Sequence, residues 1–354
     1  MSRPEQPRAT LSHVAERAGV SRSTASLAFS GAGPVSAATR ERVMRAAAEL
    51  SYSGPDPRAR SLRQGRSGVV GIVFDERLLH AFRDPVNIAT LDGIASGLEV
   101  DSNGLLLMTE TGATGGGIRS ASVDAVVLMG CSPLFDEIVA VLTQRGIPLV
   151  SIEGGRVPGV VDIALDNADA TETLARHLHA FGHRRVAMVT LGVDARRTEG
   201  PFPTTRRESI TTAVTADRLA GALRVFPDLV AYASSYNLVE NGMRAARALL
   251  EVPEAERPTA IMAQSDLLAA GVLQCAASLG LRVPEDLSVT GFDGVPLDGL
   301  GLHDLTTMQQ PTAEKGRAVG RAVAALLAGE PAASERFECR LHVGGTTGPV
   351  PAGA

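Results

Sequence analysis

At 354 residues the chain has room for about two or three compact units with real cores, which excludes a peptide or a disulfide mini-scaffold. Hydrophobic residues make up 44% and charged residues 21%, as in ordinary globular proteins, while aromatics reach only 3% with no Trp, which counts against a stacking platform for single-stranded nucleic acid. The formal charge of −5 hides an asymmetry, because residues 1–66 hold eleven Arg against five acids, a net of +6, and the other 288 residues carry −11.

Residues 1–9, rich in Pro and charge, read as a disordered arm. From Thr10 to Tyr52 the text is helical. Leu11, Val14, Ala15 and Ala18 repeat at helical spacing, Gly19-Val20 interrupts, and Ser21 opens a second segment that ends near Phe29. After the break at Gly31 to Pro34, Ser36 is a plausible N-cap for a third helix with Val43, Ala47 and Leu50 on one face. A Gly between two short helices permits a tight reversal, and the Ser/Thr-rich second helix offers small hydroxyls that can approach phosphates and base edges. An ordinary helical hairpin would read similarly, but this one stands at the basic end of an acidic chain.

Ser53 to Arg58, with two prolines and a glycine, is a linker by composition. Beyond it the character changes. Val69–Phe74 is a β-branched run suited to a strand buried on both faces, and similar runs recur at Leu105–Met108, Ala125–Met129, Pro148–Ile152, Val186–Val189, Ala260–Met262 and Leu287–Thr290. Helical patterns lie between them at Ala89–Glu99, Leu134–Arg145, Ala168–Phe181, Asn241–Leu250 and Asp266–Leu279. Alternating strands and helices predict doubly wound parallel sheets, and the length predicts two subdomains with a ligand cleft at the strand carboxyl ends. Cys131, Cys275 and Cys339 are far apart, so neither a disulfide framework nor a metal site is indicated, and no cofactor is expected. No apolar run of about 18 residues marks a membrane span and none follows the N-terminal charges, so a cytoplasmic location is expected.

The stretches TLSHVAERAGVSRSTAS, PVSAATRERV, ARSLRQGRSGVVGIV, DNADATETLARHLHAFGHRRVAMV, DRLAG, QSDLLAAGVL, VPEDLSVTGFDG and LTTMQQP resemble, in this order and over nearly the whole chain, the LacI/GalR family of repressors. The resemblance implies an N-terminal all-α helix-turn-helix domain (10–54), a hinge helix or linker (55–66) and an α/β core (67–354) of two doubly wound parallel-sheet subdomains like periplasmic sugar-binding proteins. It further implies a homodimer on pseudo-palindromic double-stranded operator DNA. The expected division of the core is an N-subdomain of about 67–166 plus 304–330 and a C-subdomain of about 167–303 plus 334–347.

Carried over residue by residue, the resemblance makes Arg22 and Ser23 base-reading positions, Ser21 an N-cap facing a phosphate, and Thr10, Thr24 and Ser26 backbone contacts. Leu27 stands where the family often places an Arg and offers only apolar contact. In the hinge, Leu62 matches a leucine that wedges into the minor groove, Arg58, Arg60 and Arg63 supply charge beside it, and Ala59 matches a small residue near the groove. Asp84, Arg218, Ser265, Asp266, Phe292 and Asp293 match positions facing the effector cleft, a set suited to a hydroxylated ligand such as a sugar. Phe82 and Tyr236 are candidate ring-face contacts. The segment 192–216 is a longer, Arg- and Thr-rich insert, and Asn237 replaces an aromatic near Tyr236.

An enzyme is not expected, because GxSxG, HExxH, Walker and post-strand GxGxxG motifs are all lacking and Lys315 is the only lysine. A solute receptor would need export, and a regulator without effector response remains a third reading. The final residues 345–354 contain no leucine heptad, which favours a dimer over a coiled-coil tetramer.

Overall fold

A computed structural model describes residues 9–31, 33–54, 66–98, 104–109, 116–130, 135–155, 157–296 and 304–351, and divides the chain into two units, Met1–Gly68 and Val69–Ala354. The expected hinge contacts Arg58, Ala59, Leu62 and Arg63, with Arg60, lie outside the described residues. Among the described residues no helix is long and apolar enough to cross a membrane.

The first unit holds the three expected helices, α1 (Leu11–Ala18), α2 (Arg22–Ser30) and α3 (Ala37–Glu49). Each starts on a hydroxyl: Thr10, Ser21 and Ser36 accept from the amides of His13, Thr24 and Thr39, a cap whose loss costs about 1 kcal/mol. Gly19 ends α1 at φ +63°, a conformation open to glycine without steric cost, and this sets up the turn into α2. Leu11, Val14, Ala25, Ala28, Val43 and Ala47 form the core, and Phe29 meets Tyr52 edge-on at 5.6 Å.

The second unit contains two sheets. The first is built from β1 (Val69–Phe74), β2 (Gly104–Thr109), β3 (Ala125–Met129), β4 (Leu149–Ile152), β5 (Val161–Leu165) and, from far along the chain, β12 (Glu335–Phe337). Its order is β12-β5-β4-β3-β1-β2 with every neighbour parallel. The second has the order β13-β11-β10-β9-β6-β8-β7. It comprises β6 (Val186–Thr190), β7 (Gly200–Phe202), β8 (Val230–Ala233), β9 (Ala260–Ala263), β10 (Ser288–Asp293), β11 (Thr307–Gln309) and β13 (Arg340–His342). Only β7 and β13, at the two edges, run antiparallel to their neighbours. Helices α4 (Leu78–Ala81), α5 (Pro85–Gly97), α6 (Gly116–Ser120) and α7 (Phe135–Gln144) belong with the first sheet. Helices α8 (Asn167–Ala180), α9 (Ala213–Leu223), α10 (Val239–Leu250) and α11 (Asp266–Ser278) belong with the second. The last helix, α12 (Thr312–Ala328), follows β11 but packs back on α5 and the first sheet.

Strand pairing departs from the expected division of the core. Because β11 bonds to β10, residues 304–309 join the second sheet, and because β12 bonds to β5, residues 335–337 join the first. The chain therefore crosses between the halves three times, after β5, after β11 and after β12. Short three-residue strands at these crossings carry too little pattern for their partner sheet to be read from sequence. Both sheets repeat one winding, with the first strand in chain order, β1 or β6, second from the edge of the parallel ladder in each. Such sheets have a crevice at the strand carboxyl ends where the order reverses. Asp75 follows β1 there, with its carboxyl 3.3 Å from where a Cβ on Gly130, after β3, would stand.

Candidate nucleic-acid interface and effector cleft

In the first unit the caps and the core decide which face of α2 is free. Ala25 and Ala28 point inward, so Ser21, Arg22, Ser23 and Leu27 are exposed and Thr24 and Ser26 half-buried. The three hydroxyls at the start of the helix are organised: Ser21 Oγ lies 2.8 Å from both Ser23 Oγ and Thr24 Oγ1. Thr10 caps α1 and is exposed. Leu27, 38% exposed, lays its side chain against Gly33, so its apolar face is held beside the helix rather than swinging free. A helix end with free amides, hydroxyls and one guanidinium suits phosphate and base contacts in a major groove.

In the second unit the side chains at the strand ends close on each other. Asp293, the last residue of β10, accepts from Gln310 Nε2 at 2.8 Å. Gln310 Oε1 accepts from Lys315 Nζ at 2.6 Å, and the same ammonium pairs with Glu153 Oε1 at 2.5 Å. Glu153 Oε2 accepts from Asn167 Nδ2 at 2.9 Å, and Asn167 Oδ1 accepts from Arg218 Nε at 2.8 Å. Arg218 Nη1 donates to the Gln264 carbonyl and stands 3.7 Å from Asp293 Oδ1, which closes a ring of six polar side chains. Phe292 supports it from below, its ring centroid 3.5 Å from the Arg218 guanidinium carbon.

The ring is costly to build and polarised. Asp293 and Glu153 are non-glycine residues at φ +128° and +55°, each costing about 1–3 kcal/mol of backbone strain. Burial pushes the Asp293 carboxyl well above the usual range, and the nearby Arg218 only partly offsets it. Burial acts on Glu153 in the same direction, but there Lys315 and Arg218 outweigh it and hold the carboxyl below its ordinary value. Two carboxylates in one ring are thus pushed apart.

At the mouth a second set of contacts spans the halves. Asp84 caps α5 through the Val86 amide at 2.9 Å and accepts from Asn237 Nδ2 at 2.8 Å, while Asn237 Oδ1 accepts from Ser265, itself the cap of α11. Tyr236 meets His80 edge-on at 4.5 Å and carries Arg197 5.4 Å from its ring centroid. Arg197, at φ +58° in the 192–216 insert, donates to the Asp75 carbonyl at 2.7 Å. The same insert adds β7 to the edge of the sheet. Burial, then Asp75 and Asp84, push Glu76 up to about 7.

Of the eight residues expected to hold an effector, Arg218, Phe292 and Asp293 meet at the ring and Asp84, Tyr236 and Ser265 at the mouth. Asp266 is placed otherwise: its carboxylate accepts from Thr307 Oγ1 at 2.6 Å and from the Val295 amide at 2.9 Å, so it ties the ends of β10 and β11 together. Phe82 is 51% exposed after α4 and makes no aromatic contact among the described residues. Glu153, Asn167, Lys315 and Gln310 were not singled out as cleft residues by sequence, although Lys315 stood out as the lone lysine and Asn167 and Gln310 lie in stretches that resemble the family. A cavity of about 580 Å³ opens beside Glu153 and Asn167, with Asp162, Val214, Asp217 and Arg336 in its wall, and none of the eight lines it. Among the described residues no group of three His, Cys, Asp or Glu can hold a metal ion.

Comparison with known proteins places this geometry among relatives. The model of the family described as bacterial regulatory proteins, lacI family, matches residues 10–54, and that of the periplasmic binding protein-like domain matches residues 175–347. An HTH-type transcriptional regulator of Mycolicibacterium smegmatis is 35% identical over 341 residues, 90% of each chain. Among solved structures, a LacI-family transcriptional regulator from Corynebacterium glutamicum is 27% identical with a TM-score of 0.71, covering 96% of this chain and 99% of that one. A complex of the transcriptional regulator CelR with cellobiose is 26% identical with a TM-score of 0.65, covering 96% and 100%.

Proposed function

The chain belongs to the LacI family of bacterial regulatory proteins, DNA-binding transcriptional regulators, and on that premise we propose that it is a repressor whose operator affinity is set by a small hydroxylated metabolite, a sugar, in the core cleft. The observation that carries this reading is the six-residue ring, which joins both halves of the core at the strand ends and offers alternating donors and acceptors to hydroxyl groups. The cellobiose complex of a similar protein supports the ligand class.

Two copies of α2 read half-sites in successive major grooves, with Arg22 on a base pair and Ser21, Thr24 and Ser26 on phosphates. The hinge segment 55–66 and Leu62 bend the centre of the operator. A ligand that binds the closed core more tightly than the open one changes the separation of the two hinges and so the operator affinity.

The test is selection of bound duplexes from a random pool, with and without a panel of sugars. Two dyad-related half-sites and a shift of retention with at least one sugar are expected; an asymmetric site, or a panel without effect, contradicts the dimer or the effector part. Arg22→Ala should relax preference at one base pair by about 1–3 kcal/mol, whereas equal loss on every sequence makes Arg22 a phosphate contact.

A further inference from the structure

One lysine stands among the 34 Lys and Arg residues of the chain, and it is not on the surface. Lys315, near the start of α12, is 2% exposed, and its ammonium donates to Glu153 at 2.5 Å and Gln310 at 2.6 Å. These acceptors belong to different halves: Glu153 follows β4 of the first sheet, and Gln310 follows β11 of the second. A buried ammonium is stable only where countercharge and acceptors surround it, and both are present. The acceptors in turn continue the path, Glu153 through Asn167 to Arg218 and Gln310 to Asp293. Without the ammonium, Glu153 would keep Asn167 as its neutral hydrogen-bond partner, and the direct link from Glu153 to Gln310 would be cut, leaving the 3.7 Å approach of Arg218 to Asp293 to join the two arms.

We propose that Lys315 is a positioning residue of the effector site, a tethered cation that bridges Glu153 and Gln310 and so closes the floor of the cleft before any ligand arrives. The inference rests on the reading of this cleft as the effector site. Its consequence is that Arg218 and Asp293 meet a ligand already oriented, which removes an ordering cost from binding. Asp84 to Asn237 and Arg197 to Asp75 span the mouth independently, so floor and mouth are separate bridges.

Amide hydrogen exchange of the full chain without ligand tests this, comparing the wild type with Lys315→Met, Lys315→Arg and Gln310→Ala. In Lys315→Met, exchange should rise at least about tenfold in both Glu153–Gly155 and Gly294–Val295, while β9 keeps its protection, and Lys315→Arg should restore most of it. Gln310→Ala, which leaves the Lys315–Glu153 pair intact, should loosen Gly294–Val295 alone. Unchanged exchange at both segments in Lys315→Met overturns the bridge, and so does acceleration that includes β9, which is plain loss of stability. Should Lys315→Met fail to fold, Gln310→Ala decides, and unchanged exchange at Gly294–Val295 overturns the proposal. No ligand enters the measurement, so a sugar panel without effect would end the effector reading and leave this result standing.

Discussion

Glu76 shows how single charges set the working range of the core. It lies beside Asp75 and Asp84, with Arg197 opposing them and Asn87 donating at 3.2 Å. Its carboxyl, ordinarily at 4.5, is pushed up to about 7 by burial and then by the two neighbouring carboxylates. The folded state therefore holds a proton that the unfolded chain releases, so stability from this group is complete below pH 4.5 and lost as pH rises through about 7. Asp75, Asp84 and Asp293 shift in the same direction through burial. Glu153 works oppositely: its lowered carboxyl contributes above its ordinary 4.5, and that contribution is lost in acid. The melting temperature should thus fall between pH 4.5 and 7 in the wild type, and Glu76→Gln should flatten the fall. An unchanged slope in the variant, read by calorimetry across that range, would remove Glu76 from the argument.

At the scale of elements, the mouth and floor residues ride on one tightly joined helix pair. Asp84 caps α5 and Lys315 lies near the start of α12, and these helices touch backbone to backbone through Gly93, Gly97, Gly316 and Gly320. A Cβ on Gly316 would collide with the Thr90 carbonyl and stand 2.9 Å from Gly93 Cα. Helix propensity alone favours Gly→Ala by about 1 kcal/mol, but backbone cannot yield as a side chain can, so the collision reverses the sign. Gly316→Ala should destabilise by about 1–3 kcal/mol in denaturant titration; a gain in stability would mean that the helices can separate at no cost. This pairing also marks what sequence could and could not deliver. Buried apolar runs announced β1, β3 and β9, and apolar residues at helical spacing announced the three N-terminal helices, because burial on both faces or along one stripe leaves a record in the sequence. A charged residue, Arg218 or Lys315, interrupts the packed face of helices α9 and α12, and β11 to β13 are three residues each, so neither leaves a comparable trace. The site divides in the same way. Arg218 and Asp293 sit in compact stretches that resemble a family, whereas Lys315 and Glu153, 162 positions apart, acquire a role only when the chain crosses between the halves.

For the whole molecule, the charge split becomes a physical division of labour. The +6 of residues 1–66 lies wholly in the first unit, and Ser67 and Gly68 are neutral, so Val69–Ala354 carries the full −11. Each phosphate neutralised by an Arg releases a counterion, so affinity from the first unit must fall steeply with salt. The acidic core has the opposite tendency and should add only repulsion, which sharpens dissociation from nonspecific DNA. The core clusters around both sheets draw no residue from the first unit, so removing it should leave their packing intact. Deletion of residues 1–66 should therefore abolish retention of duplex DNA at every salt concentration while the thermal transition of the remainder keeps its midpoint. The full chain should show retention that declines log-linearly with salt. Retention of the truncated protein at low salt, or a salt-insensitive full chain, would show that charge from the core takes part and that the division by sign is not the division by task.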